Sequence, residues 1–251
     1  MQAARERMLV TGAAGVVASV LIPAWRSRYD IVGIDRVPVP EALGCAQRLQ
    51  FDLHDADRLV EAARGCSCVV HLATGASDGW AGLQAVDVGA SRTILQWASR
   101  QQGVRRVVLA SSNHAAGGIE RDWLRQPESA ASARVGDSPR PDSEYGAAKA
   151  AMECYARYAA ECLGVNVSCL RIGTVRRNDD WREHAGAPEF AYLGTAERIA
   201  ERLRSTWLTH ADLVGIADEE LRATGAFRLR FAFSLPSGGF WPKEVLSWDR
   251  S

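Results

Sequence analysis

The chain has 251 residues, 47% hydrophobic and 24% charged, the make-up of a folded globular protein of one large domain or one domain with an appended lobe, not of a disordered chain. Thirty basic side chains balance thirty acidic ones, so no net field draws nucleic acid or an acidic membrane surface as the main partner. Met1 to Arg7 lack the apolar core of a signal peptide and the six cysteines follow no metal-ligand spacing. No stretch approaches the ~18 apolar residues of a membrane span, so the expectation is a cytoplasmic protein with reduced core thiols and no metal.

The predicted elements begin with an apolar run, Met8-Leu9-Val10, that stops at Thr11-Gly12-Ala13-Ala14-Gly15. It resumes as an amphipathic helix with Val16, Val17, Val20, Leu21, Ala24 and Trp25 as its buried stripe. Gly12 permits a tight turn, Gly15 lets the backbone approach a pyrophosphate, and Ala18 is small enough for the helix to lie against the strand. The helix N-terminus then offers unpaired N–H groups and a partial positive charge to that phosphate. A second strand over 31–34 ends in Asp35, where a ribose-binding acid belongs. A carboxylate there repels the extra phosphate of NADP, which favours NAD, while Arg36 is suited either to stack on adenine or to accept a phosphate.

A third strand is predicted over 48–51, closing with Asp52-Leu53, and Asp55 caps a helix over 56–64 that Gly65 ends. A fourth, fully buried strand spans 66–73 and holds His71, read as a core residue. The glycine-rich loop 74–82 leaves it on the side where open α/β sheets bind ligands. A long helix over 83–102 follows, stopped by Gly103. The fifth strand, 106–110, delivers Ser111-Ser112-Asn113-His114 to its carboxyl end. From 117 to 143 the pattern dissolves into an irregular loop marked by Pro127, Pro139, Pro141 and the Ala/Ser cluster 129–133. Then come a helix over 144–163, a strand over 166–172, and helices over 195–206 and 211–223. Phe227, Leu229, Phe231 and Phe233 alternate with Arg228 and Arg230 as a strand with one buried face, and the tail from Ser234 reads as loop.

This alternation predicts an α/β fold, a Rossmann-type doubly wound parallel sheet covered on both faces. Residues 8–173 form the dinucleotide-binding domain, and a small C-terminal substrate-binding lobe over 174–251 packs on it as one structural unit.

Tyr145 and Lys149 lie four apart on a predicted helix and share a face. A phenol, with a reference pKa near ~10, is a poor base at neutral pH. A nearby ammonium and the positive ring of an oxidised nicotinamide both favour its phenolate. Lys149 is also placed to hold the cofactor ribose, and Ser112, from another strand end, to share the substrate oxygen. These parts suit removal of a proton from an alcohol while hydride leaves its carbon.

Taken with residues 11–18, Asp35, Asp52-Leu53, His71-Leu72-Ala73, Ser111-Ser112 and Leu170-Arg171-Ile172-Gly173, the Tyr145-Gly146-Ala147-Ala148-Lys149 segment resembles the extended short-chain dehydrogenase/reductases, the NAD-dependent sugar epimerase/dehydratase group, over most of 8–175. The resemblance implies NAD as cofactor, bound by Gly12, Ala14, Gly15, Val16, Asp35, Asp52, Leu53, Leu72, Ala73, Tyr145, Lys149 and Ile172, with Ser112, Tyr145 and Lys149 catalytic. A sharper likeness, to uronate dehydrogenases, rests on 110–114, 171–174 and 202–213. It implies oxidation of C1 of a sugar acid to a lactone, with Asn113 and His114 on the sugar, Thr174 as a small hydroxyl residue and Arg202 gripping the carboxylate. Arg204 competes with Arg202 for that role, and His114 and Asn113 are equally suited to a structural hydrogen bond. Ser77 is a further substrate contact, and Trp80, Trp123, Trp181 and Trp241 either line the sugar site or pack.

A nucleotide-sugar epimerase or dehydratase that recycles bound NAD is the alternative within the family. A dinucleotide-binding protein without chemistry is opposed by the intact Ser112, Tyr145 and Lys149. The likeness also implies a homo-oligomer formed through the Tyr145 helix. This chain departs from the uronate-dehydrogenase pattern in four places: Asp87 replaces an asparagine, the segment 119–143 is longer, 178–196 is expanded, and an aromatic C-terminal segment survives only as residues 238–242.

Overall fold

The computed structural model describes residues 5–125, 134–234, 241 and 244–248. Strands β1 (Glu6–Thr11), β2 (Tyr29–Asp35), β3 (Gln47–Gln50), β4 (Cys68–His71), β5 (Arg106–Ser112), β6 (Val167–Ile172) and β7 (Phe227–Ala232) pair in parallel. Strand β8 (Val245–Trp248) joins β7 antiparallel, and the described sheet runs β3-β2-β1-β4-β5-β6-β7-β8. The chain steps outward from β1 to β3, then returns to β4 and steps outward the other way. That reversal opens a crevice between the carboxyl ends of β1 and β4, the place where such sheets bind ligands.

Alternating side chains divide the core between the two faces of the sheet. Met8 and Val10 pack with helix α1 (Val16–Trp25), while Leu9 packs on the opposite side with helix α2 (Ala56–Ala63). The fully buried residues of α1 are Ala18, Leu21, Ile22 and Trp25, with Val17, Val20 and Ala24 partly covered. The stripe is thus turned from the predicted one, and Val16 at the helix start is only half-buried. Asp55 caps α2 as its sequence implies, its Oδ1 accepting from the Arg58 N–H at 3.0 Å.

Three segments differ from the sequence reading. The long helix starts at Gly79 and ends at Ala98, as α3 (Gly79–Leu83), a π-helical stretch Gln84–Ala90 and α4 (Ser91–Ala98), so the predicted glycine loop is already helical from Gly79 on. Residues 117–125 form helix α5 (Gly117–Arg125), not loop. Two glycines disguise its start, but Ile119 and Trp123, four apart, set one face against the core. Of the rest of that segment, 126–133 lie outside the described residues and 134–143 are irregular as expected. Finally, β8 forms in the tail because β7 offers it an open edge, a partner that a four-residue run does not reveal by itself. Of the C-terminal aromatic segment, Trp241 is described and is buried on Phe231 and Phe233.

Helix α6 (Glu144–Cys162) buries a close-packing face of Gly146, Ala148, Met152, Ala156, Ala159 and Ala160. After β6 the chain forms a cluster of its own from Phe190, Leu193, Ile199, Leu203 and Trp207, built around helix α7 (Ala196–Thr206). It then returns to the sheet as helix α8 (His210–Arg222), β7 and β8. Backbone bonds from Thr174 N–H to Thr206 O (2.7 Å) and from Leu208 N–H to Thr174 O (3.0 Å) pin the end of α7 to the end of β6. All six cysteines are free, and Cys154 and Cys162 are exposed on α6, so the thiols are not all in the core. Among the described residues no helix is long and apolar enough to cross a membrane, and no three His, Cys, Asp or Glu side chains group as metal ligands.

A buried ion pair joins α6 to β6. Arg171 donates through Nε and Nη2 to the two oxygens of Glu153 at 2.9 and 2.8 Å, and Ser111 Oγ donates to the same carboxylate. Removing one partner leaves a charge without its counter-ion in the core. Glu153→Ala is therefore expected to lower stability by about 3–5 kcal/mol, read from urea unfolding followed by circular dichroism.

Candidate active site

The glycine turn is built by contact. Gly12 has φ +68°, and a Cβ there would lie 2.7 Å from the Ala73 backbone nitrogen, so the turn after β1 rests directly on the end of β4. The α1 N-terminus has no side-chain cap at Gly15, which leaves its first N–H groups open to a ligand. Asp35, at the end of β2, accepts from the Ala14 N–H at 3.0 Å and the Val37 N–H at 3.2 Å, which fixes its carboxylate beside the turn. Gly12, Gly15, Asp35, Asp52, Leu53, Leu72 and Ala73 line one cleft, with Arg36, Phe51 and Thr74. Ala14 and Val16 belong to the turn and helix start. These residues fit a dinucleotide: a bare backbone cradle for the phosphates and an oriented acid for the ribose. Arg36 is already held by Ser77 Oγ (2.8 Å) and Asp78, across the cleft.

A second cavity of about 480 Å³ adjoins the first, Leu72 and Thr74 lining both. Its walls bring together Ser112, Asn113, His114, Tyr145, Lys149, Ile172, Thr174 and Arg202. Three element ends converge there. Ser112 closes β5, and its Oγ accepts from the His114 N–H (3.2 Å) to start the 3-10 turn Asn113–Ala116. Tyr145 sits in the first turn of α6, where the Ser143 hydroxyl caps the Gly146 N–H at 3.1 Å. A Cβ on Gly146 would lie 2.2 Å from His114 O. Glycine therefore lets α6 touch the 113–116 turn, which brings the Tyr145 and His114 rings edge to face at 5.8 Å.

Lys149 is the buried charge of the site. Its Nζ donates to Ala110 O at 2.6 Å and pairs with Asp87 at 2.8 Å, and it lies 5.5 Å from the Tyr145 ring centre. Burial works to lower the Lys149 pKa, but the nearby Tyr145 and Asp87 outweigh it and the net displacement is upward. Asp87 comes from the π-helical stretch, where it also accepts from Thr74 Oγ1 (3.1 Å) and the Gly75 N–H (2.9 Å). His114 pairs with Asp142 at 2.8 Å. Burial raises the Asp142 pKa, and the His114 hydrogen bond and charge more than reverse it, to a net lowering. His71 is fully buried on Thr11, and desolvation, then the Lys149 charge, push its pKa down to about 4, so it is a neutral core residue.

Ser77 does not join this group; it belongs to the Arg36 contact at the dinucleotide cleft. Arg202 faces the cavity, whereas Arg204 lies over the Trp181 ring at 5.4 Å, which separates the two candidates. None of the four tryptophans lines the cavity; beside His114 and Tyr145, its aromatic residues are Phe190 and Tyr192. The sequence reading also missed Glu120 of α5. Buried like its partner, Glu120 binds Arg202 Nε through Oε1 and accepts from Asn113 Nδ2 through Oε2 at 3.3 Å. The signal available was an acidic residue one position after Ile119, hidden because Gly117 and Gly118 mask the helix that carries it.

A glycine turn at the reversal of the strand order, with a Tyr–Lys pair and a serine at the neighbouring strand end, defines a dinucleotide-dependent oxidoreductase of the Rossmann type. The chain belongs to the NAD dependent epimerase/dehydratase family, whose profile matches residues 8–176. It is 32% identical over 212 residues to an L-arabinose 1-dehydrogenase (NAD(P)(+)) of Haloferax volcanii, covering 82% of this chain and 78% of that protein. It is 29% identical to a uronate dehydrogenase of Agrobacterium fabrum, over 87% of this chain and 72% of that one. In fold it matches the crystal structure of uronate dehydrogenase from Agrobacterium tumefaciens with a TM-score of 0.73 at 24% identity, covering 95% of this chain and 80% of the other. The chain is an enzyme of the dehydrogenase type whose cofactor is NAD.

Two outcomes follow from this geometry. Asp35→Ala should weaken NAD binding about tenfold while leaving NADP binding nearly unchanged, measured by titration calorimetry, because a hydrogen bond to a carboxylate is worth about 1.5–3 kcal/mol. Gly146→Ala should separate α6 from the 113–116 turn, costing about 1–3 kcal/mol in thermal unfolding and most of the turnover.

Proposed function

We propose that the protein oxidises the hydroxyl on the anomeric carbon of a free sugar to the lactone, with Tyr145 as the base. The observation that carries this reading is the convergence of Ser112, Tyr145 and Lys149 on one cavity that adjoins the dinucleotide cleft, Leu72 and Thr74 lining both. NAD, when bound, supplies the acceptor for the hydride that leaves the anomeric carbon. The Tyr145 oxygen takes the proton of the C1 hydroxyl as the carbon–oxygen double bond of the lactone forms. Ser112 Oγ shares that oxygen by a hydrogen bond and aims it at Tyr145. The Lys149 charge, 5.5 Å from the Tyr145 ring, steadies negative charge on the phenolic oxygen, and Asp87 and Ala110 O keep the ammonium in place. Thr174 and Asn113 stand on the walls as hydrogen-bonding partners for ring hydroxyls, and Phe190 and Tyr192 supply an apolar surface for the sugar face. The similarity to an L-arabinose 1-dehydrogenase supports oxidation at C1.

The test is reduction of NAD by a panel of free aldoses, free uronic acids and nucleotide sugars, followed by absorbance. A free sugar is expected to turn over with release of reduced cofactor. Tyr145→Phe should lower kcat at least about 10²-fold while calorimetry shows NAD still bound. Turnover of nucleotide sugars alone, with no net NAD reduction, would overturn the proposal in favour of an epimerase or dehydratase.

A further inference from the structure

The cavity is lined by four basic side chains, and each has its own carboxylate. Lys149 pairs with Asp87 at 2.8 Å, His114 with Asp142 at 2.8 Å, Arg176 with Glu189 at 2.9 Å, and Arg202 with Glu120. The last pair is the informative one. Arg202 and Asn113 are the donors expected to hold the carboxylate of a sugar acid, and Glu120 binds both, one through each oxygen. Its side chain is almost completely buried, as is that of Arg202, so solvent does little to weaken the pairing. Glu120 is not itself part of the cavity wall and acts through the two residues it holds.

We infer that Glu120 is an internal counter-ion that sets the substrate class as a neutral aldose, not a sugar acid. This rests on the reading that the cavity oxidises a free sugar. A uronate carboxylate brought to Arg202 would set a second negative group against a guanidinium already neutralised, in surroundings that screen repulsion poorly. A carboxylate is acceptor only and needs unopposed donors, whereas a hydroxyl both donates and accepts. Arg202 keeps N–H groups beyond its bonded Nε, and these can bind a hydroxyl without any need for net positive charge. The sequence alone points the other way, because Arg202 is visible in it and its partner is not. Glu120 lies 82 positions from Arg202, on a helix formed where this chain departs from the uronate-dehydrogenase pattern.

The test uses the full chain with NAD and three sugars that differ only in the group on C5: L-arabinose with hydrogen, D-galactose with hydroxymethyl and D-galacturonate with carboxylate. The unmodified protein is expected to show kcat/KM at least about tenfold higher for a neutral sugar than for D-galacturonate, a difference of about 1.4 kcal/mol. Glu120→Gln removes the charge at nearly constant shape. It is expected to raise the ratio of D-galacturonate to D-galactose kcat/KM at least tenfold, chiefly through a lower KM for the acid. A purely structural role would lower both sugars together and leave that ratio unmoved, and an unmoved ratio in the folded variant overturns the inference. Preference of the unmodified protein for D-galacturonate overturns it without any variant, while the dehydrogenase reading stands. Failure of every free sugar to reduce NAD overturns both.

Discussion

The structure depends on keeping one ammonium group charged where water does not reach. Lys149 sits in α6 beneath the carboxyl end of β5, and the fold supplies its stabilisation from two directions. The Ala110 carbonyl comes from the strand and the Asp87 carboxylate from the opposing helix. A lone buried cation is not tolerated, so α6, β5 and the helix carrying Asp87 must keep their relative positions for the ion to remain satisfied. Asp87 is buried on the π-helical stretch at 84–90, and its carboxylate also ties Thr74, which lines both cavities, and Gly75. An asparagine there would make similar hydrogen bonds but would not balance the charge. Asp87 thus makes the Lys149 environment closer to neutral.

What could be read from the chain without coordinates follows physical lines. Local patterns of apolar residues, helix caps and glycine turns were legible: β1 through β7, the Asp55 cap, the turn at Gly12 and the shared face of Tyr145 and Lys149 all rest on neighbours within a few positions. The grouping of Ser112, Tyr145, Lys149 and Thr174 at the carboxyl end of the sheet follows from topology once the strands are ordered. What stayed hidden depends on distant partners. Strand β8 exists because β7 has an open edge, α5 because Ile119 and Trp123 find the core, and the Glu120–Arg202 pair because α5 and α7 meet in space. The alternation of Phe227 to Phe233 correctly gave a strand. The outward arginines nonetheless differ from solvated ones, since Arg228 and Arg230 both pair with Glu219 and Glu220 on α8.

The site divides into a half that resembles the family and a half that is particular to this chain. The dinucleotide half is backbone and small residues, which tolerate little variation because a pyrophosphate needs close approach. The adjoining cavity is walled in part by Phe190 and Tyr192 and by Arg202 of α7, which Glu120 of α5 backs from outside the wall. Specificity on such a scaffold is changed by what stands behind a wall residue as much as by the wall residue itself. An arginine that faces a cavity says little about the charge of its ligand until its other neighbours are known.

The two rims of the sheet are both short. Strands β3 and β8 have four residues each, and β3 exposes Gln47, Arg48 and Gln50 to solvent. A brief, polar rim with an arginine on it is a poor template for another extended chain, and the reversed direction of β8 interrupts the parallel ladder at the opposite side. Such an arrangement discourages strand-to-strand aggregation between copies at high concentration, a protection gained from the way the sheet ends and not from its interior.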